Sequence, residues 1–223
     1  PIICGLVFSI KTAFIPLNTC AISYQINSKL KIKKAVMHHT DTASEWIERW
    51  SHLVPAGAPV LDVACGMGRH VRWFAQRGHP VTGVDRAPQA AQAAAAWGEA
   101  LCADIENAPW PLAGREFGAV VVTNYLWRAL LATIVASVAP GGVLLYETFA
   151  DGNQTVGKPS RPDFLLQPGE LLRACTDLRV VAYEDGYLGA PERFVQRIAA
   201  VRTEGGVPSD APARHLLRPP CAD

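Results

Sequence analysis

The sequence predicts an α/β protein with a doubly wound, seven-stranded, mostly parallel sheet and an antiparallel last strand. Three observations lead to this fold class. Short apolar runs typical of buried strands alternate with segments of helical periodicity between residues 60 and 148. A turn rich in small residues directly follows the first of these strands. The last two predicted strands are joined by a connection too short for a helical crossover, so we expect them to be antiparallel.

The first half of the domain alternates strictly between strands and helices. Residues 42–45, Thr-Ala-Ser-Glu, fit a capping box that opens a helix with Trp46, Trp50 and Leu53 on one face, a pattern more typical of core than of a ligand-covering surface. Gly78 is expected to end the helix after the first strand. We predict strands at 60–63, 81–84 and 100–103, and helices at 69–76 and 89–97.

The second half begins with the apolar run 117–123, which is typical of a strand buried on both faces. Apolar residues at helical spacing then predict a helix over 127–135. The turn Pro140-Gly141-Gly142 is expected to lead into the fifth strand. We predict further strands at 143–148, 178–183 and 194–201, and a short helix at 169–174 after a loop over 149–167.

Two neighbouring strand ends carry a carboxylate each, and a glycine turn lies between them. Asp62 comes just before the turn, and Asp85 ends the second strand. Gly66 and Gly68 have no side chains, so the backbone can approach a bound molecule closely. Open α/β sheets bind ligands at the carboxyl ends of their strands. This arrangement suits a ligand with an amino-acid portion and a ribose.

The pattern D-x-A-C-G-x-G over residues 62–68, followed by Asp85, resembles motif I and the next acidic residue of class I S-adenosylmethionine-dependent methyltransferases. The family usually has a glycine at the position of Ala64, and alanine is tolerable there if its φ is negative. The resemblance implies the Rossmann-like methyltransferase fold and S-adenosylmethionine as cofactor. It also implies that the cofactor contacts Asp62, Ala64, Gly66, Gly68, Asp85, Arg86, Asp104, Ile105 and Asn124.

The resemblance also implies a role for several of these residues. In the family the glycine loop lies against the methionine portion, and the acid at the position of Asp85 binds the ribose hydroxyls. The acid at the position of Asp104 accepts the adenine amino group, and Ile105 would pack on the ring. Asn124 would lie beside the sulfonium. From the residues alone, Asn124 also fits the cap of a helix that begins at Tyr125.

A dinucleotide is a poorer fit to this turn. The dinucleotide fingerprint requires a third glycine, where this chain has Val71. Asp62 would also place a negative charge near the pyrophosphate. Both features favour a cationic sulfonium ligand.

Composition bounds the domain organisation. A chain of 223 residues with 49% hydrophobic residues can bury one good core. Residues 1–36 carry five lysines and no acid, whereas the rest has 16 basic and 20 acidic residues. We expect 1–36 to be a non-domain extension, with packing as an accessory element as the alternative, 37–203 to be the methyltransferase domain, and 204–223 to be a flexible tail. A clean signal peptide and a run of membrane length are both missing, so we expect a cytoplasmic protein.

Cysteine and histidine spacing predicts no metal site. The six cysteines include no C-x-x-C pair, and the six histidines do not cluster with acids at ligand spacing. Cys65 lies in the turn and is interpreted as a small apolar filler.

Methyl transfer from a sulfonium is an in-line displacement that requires mainly alignment and exclusion of water, so no catalytic residue can be named from the sequence. Tyr125, Arg128 and the polar 149–167 loop are the candidates for binding the acceptor. The loop could equally be a solvated surface. The Asn/Asp-Pro-Pro-Tyr motif for planar amino groups is missing.

The leading hypothesis is methyl transfer to a small molecule. Over about residues 43–200 the chain resembles the tellurite-resistance-type small-molecule methyltransferases. An RNA methyltransferase is an alternative, which the mildly acidic domain disfavours. A noncatalytic methyltransferase-like binding protein is another. Intact cofactor motifs argue against it.

Overall fold

The computed structural model describes residues 42–204 and 213–218. Its centre is a seven-stranded sheet in the order β3-β2-β1-β4-β5-β7-β6. The strands are β1 (Val60–Val63), β2 (Val81–Asp85), β3 (Glu99–Cys102), β4 (Phe117–Thr123), β5 (Val138–Phe149), β6 (Arg179–Gly189) and β7 (Glu192–Val201). The α-helices are α1 (Glu45–Trp50), α2 (Arg69–Ala75), α3 (Pro88–Ala94), α4 (Leu131–Ala136) and α5 (Glu170–Ala174).

The strand directions confirm the predicted fold class. Strands β1 to β5 pair in parallel, and β7 is antiparallel to both β5 and β6. The chain reverses its direction of travel across the sheet between β1 and β4. The carboxyl ends of these two strands therefore flank the crevice in which such sheets bind ligands.

Two apolar layers hold the sheet, one on each face. Successive residues of a strand point to opposite faces, so in β4 Val120 and Val122 join the layer covered by α4 and α5, while Val121 joins the layer covered by α1 and α2. Trp46 and Trp50 are buried in this second layer, as their helical spacing predicts. The Trp46 indole Nε1 donates to the Ile198 carbonyl 3.2 Å away.

Several local predictions differ from the structure; β6, for example, extends to Gly189 where an end at 183 was predicted. The N-cap of α1 is Ser44, whose hydroxyl accepts from the Trp46 N–H, so the capping box starting at Thr42 is wrong. Strand β5 begins at Val138, and the Pro140–Gly142 turn lies inside it at a shift in register with β4. A 3-10 turn, Arg128–Leu130, precedes α4 where a continuous helix was predicted. The helix cap, the turn inside β5 and the 3-10 turn leave the types of the predicted elements around them unchanged.

The segments predicted from composition to flank the domain lie mostly outside the residues that the structure describes. The extension 1–36 lies outside the described residues. Of the predicted tail, Leu216 is described, and its carbonyl oxygen lies 2.9 Å from the His52 Nε2. Within residues 42–204 and 213–218, none of the helices combines the length and the apolar character needed to span a bilayer.

Candidate functional site

The turn between β1 and α2 contains three residues in the left-handed region. Ala64 and Gly66 both have φ of 54°, and Gly68 has φ of 80°. The negative φ that would make alanine tolerable at this position is therefore not present. A left-handed alanine costs about 1–2 kcal/mol because its Cβ approaches the following carbonyl oxygen. Ala64 therefore takes the backbone conformation that the family's usual glycine adopts without that cost.

Gly68 is needed for packing of the helices as well as for the turn. A Cβ built on Gly68 would lie 2.9 Å from the Cα of Ala94, the last residue of α3. The same addition at Gly66 meets nothing within 4 Å. Gly68 thus permits the close approach of α3 to the start of α2, and Gly66 leaves space open.

Asp85 ties the end of β2 to this turn. Its Oδ2 accepts from the Gly66 N–H at 2.9 Å, and its Oδ1 accepts from the Ala87 N–H at 2.8 Å. Each carboxylate oxygen has a further lone pair available for a ligand hydroxyl. The contact between the two motifs was not part of the sequence prediction.

A cleft of about 340 Å³ opens at the carboxyl ends of the strands. It brings together most of the predicted site residues, from the turns after β1, β2, β3 and β4. Its lining is Ala64, Asp85, Arg86, Asp104, Ile105, Glu106, Asn124, Tyr125, Leu126, Thr148, Phe149, Pro159 and Phe164. Of the predicted residues, Asp62, Gly66, Gly68 and Arg128 are not in the lining.

The polar lining of the cleft carries more negative than positive charge. The lining includes Asp85, Asp104 and Glu106 but a single arginine, Arg86, whose Nη1 lies 3.9 Å from the Glu106 Oε2. Hydrogen bonds from the Asn107 side chain and from the Glu106 backbone N–H lower the pKa of Asp104, so this carboxyl stays ionised. Such a cleft attracts a cation and repels a polyanion.

Asp62 lies behind the cleft, on the face of the sheet covered by α1 and α2. It is 1% exposed, and its Oδ2 has no hydrogen-bond partner among the described residues. This oxygen lies 3.9 Å from the Nδ1 of His70. Burial raises the pKa of Asp62 to about 8, with the nearby Arg69 opposing the rise. Desolvation lowers the pKa of His70 to about 3, so its ring is neutral.

The neutral His70 ring connects α1 to the turn. Its Nε2 accepts from the Ser44 N–H at 3.1 Å, which leaves the ring proton on Nδ1, facing Asp62. The carboxyl group is therefore held in a dry site with one unsatisfied oxygen. A proton donor such as an amine would satisfy that oxygen.

Asn124 and Tyr125 lie where β4 ends. Asn124 has φ of 54° and no helix begins at Tyr125, so the interpretation of Asn124 as a helix cap is wrong. Burial, followed by the negative charge of Glu106, raises the pKa of Tyr125. Tyr125 is therefore a neutral phenol at ordinary pH.

Arg128 holds the loop after β5. Its Nε lies 2.8 Å from the Glu170 Oε1, and its Nη1 and Nη2 each donate at 2.8 Å to the carbonyls of Asp163 and Leu165. These contacts hold the backbone on either side of Phe164, which lines the cleft. The structure thus places Arg128 behind the loop and not in the cleft.

The loop contributes apolar residues to the cleft, Pro159 and Phe164, in place of the polar residues expected from the sequence. Asn153 is 1% exposed and bonds to the Pro159 carbonyl and the Phe194 N–H. Lys158 and Arg161 are exposed. The polar groups of the loop therefore hold its shape or face solvent.

A buried ionic group that was not predicted from the sequence lies next to the cleft. Glu147, near the end of β5, is 1% exposed, and its Oε2 lies 2.7 Å from the Nε of Arg197. Its Oε1 accepts from the Ser44 hydroxyl at 3.1 Å and lies 3.6 Å from the Nη2 of Arg193. The available signal was a charged residue within each of two predicted strands whose other residues are mostly apolar.

Cys65 packs as expected for an apolar filler. Its Sγ would lie 2.9 Å from a Cβ added at Gly83 of β2, so the thiol fills the space that this glycine leaves. Burial and then the carboxylates of Asp62 and Asp85 raise the pKa of Cys65, which keeps the thiol protonated. Among the described residues, no group of three His, Cys, Asp or Glu side chains could hold a metal ion.

Comparison with known proteins assigns this architecture. Residues 60–142 match the family model described as a methyltransferase domain. Residues 60–142 are therefore similar to a methyltransferase domain. The predicted resemblance is thereby confirmed, and the match spans the turn after β1, Asp85, Asp104 and Asn124.

Individual relatives agree with this assignment. The chain is 31% identical over 154 residues to the malonyl-[acyl-carrier protein] O-methyltransferase of Serratia marcescens, a match covering 58% of this chain and 59% of that protein. Among solved structures, TehB from Haemophilus influenzae shares the fold with a TM-score of 0.58 and 18% identity, over 74% of this chain and 63% of TehB.

A third comparison concerns a structure with a bound ligand. The magnesium protoporphyrin IX methyltransferase of Synechocystis PCC 6803 with bound SAH (S-adenosylhomocysteine) has a TM-score of 0.51 and 16% identity, over 66% of this chain and 75% of that chain. The chain spans about 60% of the length of the Serratia marcescens protein and of TehB.

Proposed function

We propose that this methyltransferase domain binds S-adenosylmethionine in the cleft and transfers its methyl group to a small molecule. The observation that carries the proposal is the position of Asp85. It joins the glycine turn to the second strand and faces a cleft with a surplus of negative charge. S-adenosylmethionine has a positively charged sulfonium and a ribose, so both features match it.

The residues of the cleft fit the parts of this cofactor. Asp85 would accept hydrogen bonds from the ribose hydroxyls through its remaining lone pairs. The ionised Asp104 would accept the adenine amino group, while the buried Ile105 offers an apolar surface to the ring. The unsatisfied Oδ2 of Asp62 is our proposed acceptor for the amine of the methionine portion.

Three of the predicted cofactor residues act differently in this proposal. Gly66 orients the Asp85 carboxylate through its N–H, and Gly68 supports the turn from α3. Arg86 limits the repulsion between the acids by pairing with Glu106. Ala64 and Asn124 line the cleft at the carboxyl ends of β1 and β4.

When bound, S-adenosylmethionine supplies an activated methyl carbon. The chain then needs to align an acceptor with that carbon and to keep water out. Thr148, Pro159 and Phe164 form the wall on the side of β5 and its loop, and Arg128 holds that wall in place. The neutral Tyr125 hydroxyl can donate a hydrogen bond to the acceptor.

A small-molecule acceptor agrees with the size of the cleft and with the relatives. The Serratia marcescens relative is an O-methyltransferase of malonyl-[acyl-carrier protein]. The negative charge of the cleft disfavours an RNA substrate, because a phosphate backbone requires a basic surface. The cytoplasmic location, the extension 1–36 and the tail 204–223 stay predictions from the sequence.

Titration calorimetry with S-adenosylhomocysteine tests the proposal most directly. We expect one binding site per chain, and competition by S-adenosylmethionine. NAD should not compete, because the turn lacks the third glycine of a dinucleotide site. The absence of any heat of binding in the folded protein would contradict the proposal and favour a noncatalytic protein.

A further inference from the structure

A row of polar residues crosses the sheet on the face covered by α1 and α2. Thr123, Glu147, Arg197 and Glu184 occupy directly paired positions in β4, β5, β7 and β6. We call these four residues the edge row. Arg197 lies between two carboxylates, with its Nε 2.7 Å from the Glu147 Oε2 and its Nη1 3.3 Å from the Glu184 Oε2.

Two further arginines flank the edge row. The Nη2 of Arg69 donates to the Thr123 hydroxyl at 3.4 Å, and the Nη2 of Arg193 lies 3.6 Å from the Glu147 Oε1. Burial and the positive charge of Arg193 lower the pKa of Arg69, against the opposing charges of Asp62 and Glu147. Thr123 and Glu147 are paired neighbours, so Arg69 and Arg193 approach the same end of the sheet, where their like charges oppose each other.

This group of residues has more positive than negative charge. The Nε of Arg193 is buried and has no hydrogen-bond partner among the described residues, although its side chain as a whole is 21% exposed. Asp62 contributes little negative charge at neutral pH, because burial raises its pKa to about 8. The guanidinium groups are those of Arg49, Arg69, Arg193 and Arg197, and the glutamates paired with them are Glu147 and Glu184. One or two added negative charges would balance the group.

The surplus charge lies at the same edge of the sheet as the cleft. Thr123 directly precedes Asn124, and Glu147 directly precedes Thr148. Asn124 and Thr148 both line the cleft. Because successive residues point to opposite faces of a strand, the arginines and the cleft are separated by the thickness of the strand ends. A molecule lying over the ends of β4 and β5 could reach both.

We propose that Arg69 and Arg193 bind a carboxylate group of the methyl acceptor, so that the substrate is an organic acid. Guanidinium groups bind carboxylates through paired, charge-assisted hydrogen bonds, and a partly buried pair does so more strongly than an exposed one. A carboxylate held there directs the rest of the acceptor over the ends of β4 and β5, towards the methyl donor. This inference rests on the proposed function.

The test uses the full chain saturated with S-adenosylhomocysteine. Malonate, succinate and benzoate are titrated by calorimetry, each beside its amide, malonamide, succinamide or benzamide. We expect at least one acid to bind better than its amide by about tenfold or more. Arg193→Met, which keeps the length of the side chain, should weaken the binding of that acid by about 10- to 100-fold and leave the binding of the amide unchanged.

Two further variants complete the design. Arg193→Lys keeps the charge and loses the paired donors, so it should bind the acid with intermediate affinity. Arg179→Met removes an exposed arginine at the opposite end of β6 and should change nothing.

The results separate three cases. If S-adenosylhomocysteine does not bind the wild type, the proposed function itself fails. If S-adenosylhomocysteine binds the wild type, but Arg193→Met weakens its binding more than the binding of the acid, the arginines hold the carboxylate of the cofactor. That result overturns the acceptor proposal. If no acid is preferred over its amide, or if Arg193→Met and Arg179→Met behave alike, the acceptor proposal is also overturned.

Discussion

Replacement of Asp85 tests the contact that organises the cofactor site. Its two oxygens accept from the N–H groups of Gly66 and Ala87 at 2.9 and 2.8 Å. Asparagine has one acceptor oxygen and a donating NH₂ group. In Asp85→Asn the NH₂ therefore faces one of these N–H groups, and that hydrogen bond is lost. The sequence alone suggests that Asp85→Asn is milder than Asp85→Ala, because one acceptor oxygen remains. The structure predicts that both variants weaken the site.

The size of the effect follows from the number of hydrogen bonds. A hydrogen bond to a charged group contributes about 1.5–3 kcal/mol, so loss of the ribose contact should raise the Kd of S-adenosylhomocysteine about 10- to 150-fold. The free energy of unfolding should fall by about 2 kcal/mol in Asp85→Ala, because two backbone donors lose a carboxylate at a half-exposed site.

Calorimetry measures the affinity, and urea unfolding measures the stability of the same preparations. Asp177→Asn, at an exposed carboxylate between α5 and β6, is the matched control and should alter neither. Wild-type affinity in a folded Asp85→Ala protein would remove this carboxylate from the ribose site.

Three other substitutions test separate parts of the argument. Gly68→Ala should lower the free energy of unfolding by about 2–4 kcal/mol, through left-handed strain and a clash with α3. Gly78→Ala, at a position with φ of 83° and open space, should lower it by only about 1–2 kcal/mol. Equal losses in urea unfolding would contradict the close packing at Gly68. The raised pKa of Asp62 favours the protonated folded state below pH 4 and costs stability as pH rises towards 8, so the stability of Asp62→Asn relative to wild type should increase across that range in the ligand-free protein. A pH-independent difference would show that Asp62 titrates normally. Arg128→Met should release Phe164 and slow methyl transfer at least about tenfold with little change in cofactor Kd; an unchanged single-turnover rate would exclude a role for the loop wall.

The sequence by itself determined the fold class and, to within one residue, the carboxyl ends of strands β1 to β5. Residues 117–122 are apolar because β4 is buried on both faces, and the predicted strand 117–123 has the same limits in the structure. Asp85 and Asp104 follow neighbouring strands, so a parallel sheet brings them to one edge whatever the details of packing. Both line the cleft. Local pattern is sufficient here because strand period and chain order already decide the geometry.

Only the tertiary structure decided the conformation of Ala64 and the environment of Asp62. The turn between β1 and α2 requires a positive φ at Ala64, and that requirement comes from the packing of both elements and not from the residue. Asp62 and His70 are eight positions apart, yet their separation of 3.9 Å depends on how α2 lies on the sheet. Burial then alters the pKa of both groups.

The contacts of the edge row could not be predicted from the sequence. Glu147 pairs with Arg197 because β7 enters the sheet between β5 and β6, so strands that are adjacent in the sheet are distant in the chain. The contacts of the 149–167 loop could not be predicted either. Its polar residues suggested contacts with the acceptor, whereas Pro159 and Phe164 line the cleft. Which side chains meet is decided by strand order and by the path of a loop, and these depend on contacts across the whole domain.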